Sequence, residues 1–110
     1  MEINKIAEEC YQIAKEHGWW DGPVNIPEKL ALIHSEVSEA LECYRNDEML
    51  IDRLHWSQIG KPEGFPIEIA DVIIRLFDLS AHLKIDLEAA IQTKMDYNKT
   101  RAYRHGGKRA

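Results

Sequence analysis

Cysteine is nearly absent: Cys10 and Cys43 are the only two in 110 residues, and neither stands in a CxxC or Cys/His spacing. That excludes a disulfide framework and a structural zinc site, and it fits small core residues in a reducing compartment. Proline and glycine are also sparse, at four and six residues. Apart from Pro27 and the Gly106-Gly107 pair they gather around 18–23 and 60–66, so the chain has few places to turn. No stretch of 18 uncharged residues occurs, which excludes a membrane-spanning helix. The opening Met1-Glu2-Ile3-Asn4-Lys5 lacks a leader pattern, so a cytoplasmic location is expected. Basic residues are in the minority, 14 against 19 acidic, and the net charge of -5 argues against binding a nucleic acid polymer. The deficit is uneven, because Lys94, Lys99, Arg101, Arg104, Lys108 and Arg109 face only Asp96 in the last 17 residues. An acidic body with a basic end is suited to holding a metal and a polyanion side by side.

What is present is a globular composition, 45% hydrophobic and 30% charged. At this length folding removes roughly two-thirds of the unfolded chain's surface from water, enough for one core, so residues 1–110 are expected to form a single domain. Hydrophobic spacing predicts four helices and no strand, an all-α fold resembling a four-helix bundle. The first helix is expected over about 3–17, with Ile3, Ile6, Cys10 and Ile13 as its stripe. The second is expected from near Pro27 to about Asn46, with Leu30, Ile33, Val37, Leu41 and Tyr44 inside. Residues 47–65 read as a long connection with one helical turn around Met49–Leu54, the kind of loop that often carries function. The third helix is predicted over about Pro66–Leu83, and the fourth from an Asp86 N-cap to about Arg101, with a loose tail at Gly106-Gly107.

The third helix is apolar around most of its circumference, yet Glu68, Asp71, Arg75, Asp78 and His82 fall on one line at steps of three and four. Such a line faces either water or a polar cavity. On the second helix the wet face is Glu28, Ser35, Ser38, Glu42 and Arg45, which leaves Glu36 and Glu39 at the edge of the core. Two acids there repel one another unless a cation compensates them. ExxE opposite ExxD can place four carboxylates around one point, and oxygen-only ligation points to Mg²⁺ or Mn²⁺. A Glu-x-x-His, which a di-iron bundle would need, does not occur. The bland alternative is an ion network in which Arg75 or Lys94 acts as counter-ion. On the fourth helix Leu87, Ile91, Lys94, Asn98 and Arg101 share a line that ends cationic, able to hold anionic oxygens. A cationic last turn also follows from the helix dipole alone.

Taken together, Ser35-Glu36-Val37-Ser38-Glu39-Ala40, Glu68-Ile69-Ala70-Asp71 and Lys94-Met95-Asp96-Tyr97-Asn98-Lys99-Thr100-Arg101 resemble the MazG-like all-α nucleoside triphosphate pyrophosphohydrolases. The likeness extends from about residue 27 into the Arg104–Lys108 tail. It implies metal ligation by Glu36, Glu39, Glu68 and Asp71, phosphate contacts from Lys94 and Asn98, and help from Arg101 and Arg75. It also implies a homodimer or homotetramer, and hydrolysis of a (deoxy)nucleoside triphosphate between its α and β phosphorus atoms with Mg²⁺, Mn²⁺ being possible. Glu36 or Glu39 would orient the attacking water. This chain departs from the family's EExxE at its first position, which is Ser35, so a preserved metal site with a changed surrounding is expected.

Trp19, Trp20 and Trp56 are predicted to lie in loops beside the site helices, where indoles can stack on a nucleobase; Trp20 and Trp56 are taken as substrate contacts. His17 and His34 read as structural. The competing interpretation is a catalytically silent helical oligomer whose acids bind a cation or sense a nucleotide. The third helix has too little polar surface for one small bundle to cover, so a subunit contact through Val72, Ile73, Leu76 or Leu79 is expected.

Overall fold

A computed structural model describes residues 2–46 and 51–101 of the chain. Four helices carry the fold: α1 (Ile3–Glu16), α2 (Ile26–Asn46), α3 (Phe65–His82) and α4 (Leu87–Thr100). The all-α expectation holds, with one local exception. Two-residue strands β1 (His55–Trp56) and β2 (Pro62–Glu63) pair antiparallel in the connection before α3. Strands this short leave no alternation to read, so periodicity alone passes over them. Of the helical turn expected at Met49–Leu54, residues 49 and 50 lie outside the described residues, as does the tail from residue 102, and residues 51 and 52 form a turn. No helix among the described residues is long and apolar enough to cross a membrane.

Local chemistry sets the helix ends. The α1 helix stops where Gly18 takes a left-handed φ of 83°. Asn25 Oδ1 accepts the Glu28 backbone N–H at 3.0 Å and opens α2. Asp86 accepts the Ala89 N–H and caps α4 as expected. The entry to α3 is Gly64, buried, with φ 117°; a Cβ there would lie 2.9 Å from the Arg53 carbonyl oxygen. Only glycine lets the hairpin close this tightly on the helix that follows.

The α3 helix is central, packed on α1 along one flank and on α2 along the other, while α4 rests against α1. Asn4 clamps that last junction: its side-chain amide donates to Asp86 Oδ1 at 2.8 Å, its Oδ1 accepts the Glu88 N–H, and its own N–H donates to Glu88 Oε1. The buried apolar set is small: Ala7, Ala14, Ile33, Ala40 and Leu79. On α1 and α2 the buried positions are mostly alanine, while larger apolar side chains stay more open. Several residues expected inside are therefore open. Ile6 and Ile13 on α1 are exposed, as are Leu30, Val37, Leu41 and Tyr44 on α2. The inward line of α2 is instead Ile26, Lys29, Ile33, Glu36, Ala40 and Cys43. On α3, Leu79 is buried within the chain and Val72 half-buried, whereas Ile73 and Leu76 are 43% and 41% exposed.

Candidate metal centre and adjoining groove

Glu36 sits on the inward line of α2, and Glu39 follows one turn later at its exposed edge. Glu68 faces them from the first turn of α3, where the Gly64–Pro66 entry aims it. Glu36, Glu39 and Glu68 each offer a carboxylate oxygen, and the three lie within 4.8 Å of one another. Asp71, one turn along α3 from Glu68, stands outside that cluster but close enough for its charge to act on Glu36 and Glu68. Burial raises the Glu36 carboxyl above the usual carboxylate range, with the Glu39 charge and a hydrogen bond shared with Glu39 adding to it. Burial likewise raises Glu68, helped by the charges of Asp71 and Glu39. Carboxylates taken partly out of water and set beside one another have this signature.

Two cations act on the cluster. Arg75 Nε lies 3.6 Å from Glu36 Oε1 and opposes its rise. Lys61, in the hairpin turn, does the same for Glu68. The acids fit a hard divalent cation. Ligands on Mg²⁺ stand about 3–4 Å apart at metal–oxygen distances near 2.1 Å, so the three oxygens need to close by at most about 1–2 Å.

The polar line of α3 is turned partly inward rather than fully to water. Glu68, Asp71, Arg75 and His82 are half-buried, and Asp78 is 5% exposed. Two adjoining hollows open along it. One, a cleft of only about 20 Å³, lies toward α2 between Trp19, Trp20, Lys29, Ile33 and Leu79; the other, about 230 Å³, runs toward α1 past Cys10 and Ile74 to Asp71. Trp19, Arg75 and Asp78 line both. The Arg75 guanidinium stacks 3.6 Å from the Trp19 ring centroid while reaching Glu36, so one side chain ties the acids to the groove. Burial pushes Asp78 up to about 6 against the pull of Arg75 and Lys29. Among the described residues it makes no side-chain hydrogen bond and no ion pair.

Trp20 is held by other partners. It stacks on His82 at 4.0 Å, Tyr11 meets it edge-on, and the Lys29 ammonium lies 4.5 Å from its ring centroid. The Tyr11 hydroxyl is 2.9 Å from His82 Nδ1. The Trp20 Nε1–H is buried without a hydrogen-bond partner, which costs on the order of 1–3 kcal/mol. Trp56, on β1, is 65% exposed. Lys94, Asn98 and Arg101 are exposed on or just after α4, and Lys94 lies over the Tyr97 ring. No charge from α4 is among those acting on Glu36 or Glu68.

One chain thus brings Glu36, Glu39, Glu68, Asp71 and Arg75 together and leaves the α4 trio apart. Asp78, Lys29 and Lys61 were not singled out by spacing. Asp78 stood in the polar line without a role, and the signal that marks it, burial without a partner, is three-dimensional. No family model, curated protein or solved structure matches the chain.

Proposed function

We propose that the protein is a Mg²⁺-dependent nucleoside triphosphate pyrophosphohydrolase that releases a nucleoside monophosphate and pyrophosphate. The observation that carries this reading is the convergence of Glu36, Glu39 and Glu68 within 4.8 Å, beside a groove with an aromatic wall. Glu36, Glu39, Glu68 and Asp71 would hold the metal, which when bound supplies neutralisation of phosphate charge and a water of lowered pKa. Glu39, the most open of the acids, is placed to orient that water, and Arg75 to follow charge as it moves onto phosphate oxygens. The groove takes the nucleoside, with Trp19 as its flat wall and Trp20 behind it.

Lys94, Asn98 and Arg101 carry the charge and amide groups that steady a pyrophosphate leaving group. They reach the acids through a second copy of the chain. The exposed apolar faces of α2 and α3, including Leu30, Val37, Leu41, Ile73 and Leu76, are the surface along which a homodimer or tetramer closes.

The Arg75–Glu36 pair gives the acids part of a counter-ion of their own, and this favours a second reading, a silent oligomer that binds a cation or nucleotide without cleaving it. Pyrophosphate release from a nucleotide panel, with and without Mg²⁺, separates the two. Monophosphate and pyrophosphate in equal amounts, only with metal, are expected. Nucleoside diphosphate and orthophosphate, or no product, overturn the pyrophosphohydrolase reading.

A further inference from the structure

Arg75 stands between the acid cluster and the groove, and its guanidinium is only partly satisfied. Its Nε lies 3.6 Å from Glu36 Oε1, an ion pair longer than a good hydrogen bond, and among the described residues its nitrogens make no hydrogen bond. The planar group lines both hollows and is held there by its stack on Trp19, with Cζ 3.6 Å from the ring centroid. Five N–H donors in a rigid fork, half-buried and short of acceptors, match the oxygens of a phosphate. Resting on the nucleotide reading above, we propose that Arg75 couples the two ligands of the site: without metal it is the counter-ion of Glu36, and a divalent cation displaces it from Glu36 onto a phosphate of the bound polyphosphate.

Charge and distance oblige the exchange. Glu36 is one of the three acids whose oxygens lie within 4.8 Å of one another. A Mg²⁺ ion ligated by Glu36 sits about 2.1 Å from its oxygen, so the ion and Arg75 Nε stand at most about 6 Å apart while both keep that oxygen. Even with water's screening, a double and a single positive charge at that distance repel enough to weaken binding roughly ten-fold, and more in a half-buried site. Arg75 therefore opposes a metal that comes alone. A polyphosphate reverses the sign, because its oxygens ligate the metal and offer the guanidinium a new anionic acceptor at the same time. The released side chain stays in the groove: the Trp19 face carries it, and Asp78, three residues on, lines the same two hollows. Metal and anion then bind cooperatively, each improving the place of the other.

The test reads binding, with turnover as a separate arm. Mn²⁺ alone is titrated against the native chain, Arg75→Met and Arg75→Lys, followed by the paramagnetic resonance of the free ion. A non-hydrolysable α,β-methylene nucleoside triphosphate is titrated by calorimetry in excess Mg²⁺. Arg75→Met should bind Mn²⁺ alone roughly ten-fold tighter, and the analogue with Mg²⁺ roughly ten-fold weaker or more. Arg75→Lys keeps the charge without the plane, so it should return Mn²⁺ affinity to within about three-fold of native and recover only part of the analogue affinity. A merely structural role moves both affinities the same way, so equal signs, or an unchanged affinity for either ligand in Arg75→Met, overturn the proposal. Pyrophosphate release by the native chain judges the hydrolase reading apart. Opposite signs without turnover uphold the coupling in a silent binder, and turnover without opposite signs leaves the hydrolase reading standing alone. A native chain that binds no Mn²⁺ sinks both. If Arg75→Met does not fold, the Arg75 Nε–H of the native chain decides by nuclear magnetic resonance: its exchange with solvent should quicken with Mg²⁺ alone and slow when the analogue is added, and any other order overturns the proposal.

Discussion

The acid cluster and the cationic helix α4 contrast in how much of each one chain completes. Glu36, Glu39 and Glu68 are brought within 4.8 Å by two helices packed side by side, and burial first, then the neighbouring charges, raises Glu36 and Glu68. Lys94, Asn98 and Arg101 lie exposed on a helix that α1 holds chiefly near its start, through Asn4, Asp86 and Glu88. Like charges gather only where tertiary packing forces them, so the acids mark a place where the fold accepts repulsion in return for something else. Exposed cations impose no such demand and stay where solvent leaves them.

Neutralising an acid should have the largest effect. Glu39→Gln, Glu68→Gln and Asp71→Asn are each expected to lower turnover by roughly 10²–10³-fold or more. Metal-free helix content should remain, and stability should hold or rise as repulsion is relieved. Circular dichroism beside pyrophosphate release checks both, and near-native rates in two of the three would misplace the metal. The same contrast supplies a sharper version. If α4 serves the neighbouring copy, mixing inactive Glu39→Gln with inactive Lys94→Met after dissociation should restore about a quarter of native activity through mixed dimers. No recovery from the mixture would return the cations to their own chain.

Ile73→Asp comes next, because it places a charge on the half-open face of α3 that a second copy is proposed to cover. Dissociation to 12.7 kDa monomers, or unfolding at low concentration, should follow, read by sedimentation. A native chain that remains a fully active monomer at micromolar concentration would break the argument.

The sequence announced both regions, but unequally. Four helix spans were readable because period, glycine stops and the Asp86 cap agree locally. Which apolar residues go inside was not. Ile6, Ile13, Val37 and Leu41 share the spacing of a core stripe, yet the buried positions on these helices are Ala7, Ala14, Ile33 and Ala40, because which flank a neighbouring helix covers is decided by packing and not by spacing alone. The polar line of α3 was visible as a line, and whether it met water or a cavity depended on Trp19 and Trp20 folding back from the α1–α2 loop. Arg75 could be listed as a counter-ion, but its double role against Glu36 and Trp19 follows only from the packing.

Asp78 sharpens the comparison through pH. Its folded value of about 6 lies above the unfolded value near 3.8, so the folded chain binds the proton more tightly. Stability from this group is therefore full below pH 4, declines as pH rises toward 6, and stays low above it, a difference of roughly 2–3 kcal/mol. Asp78→Asn should remove that slope and be the more stable protein at pH 7.5, as urea unfolding at several pH values will show. A slope that persists in the variant would move its origin to the acid cluster.

The smallest effect tests how the acid cluster is aimed. Gly64 joins the hairpin to α3 at φ 117°, with the Arg53 carbonyl oxygen 2.9 Å from where a Cβ would be. In Gly64→Ala either the backbone turns away from that φ or the hairpin backs off, a strain of about 1–3 kcal/mol. Both adjustments act on the turn that carries Glu68, four residues later, and on Lys61, which tempers its charge. The variant should therefore melt lower and need more Mg²⁺ for half-maximal activity. A lower melting point with unchanged Mg²⁺ demand would mean that the hairpin supports the fold without positioning the metal site.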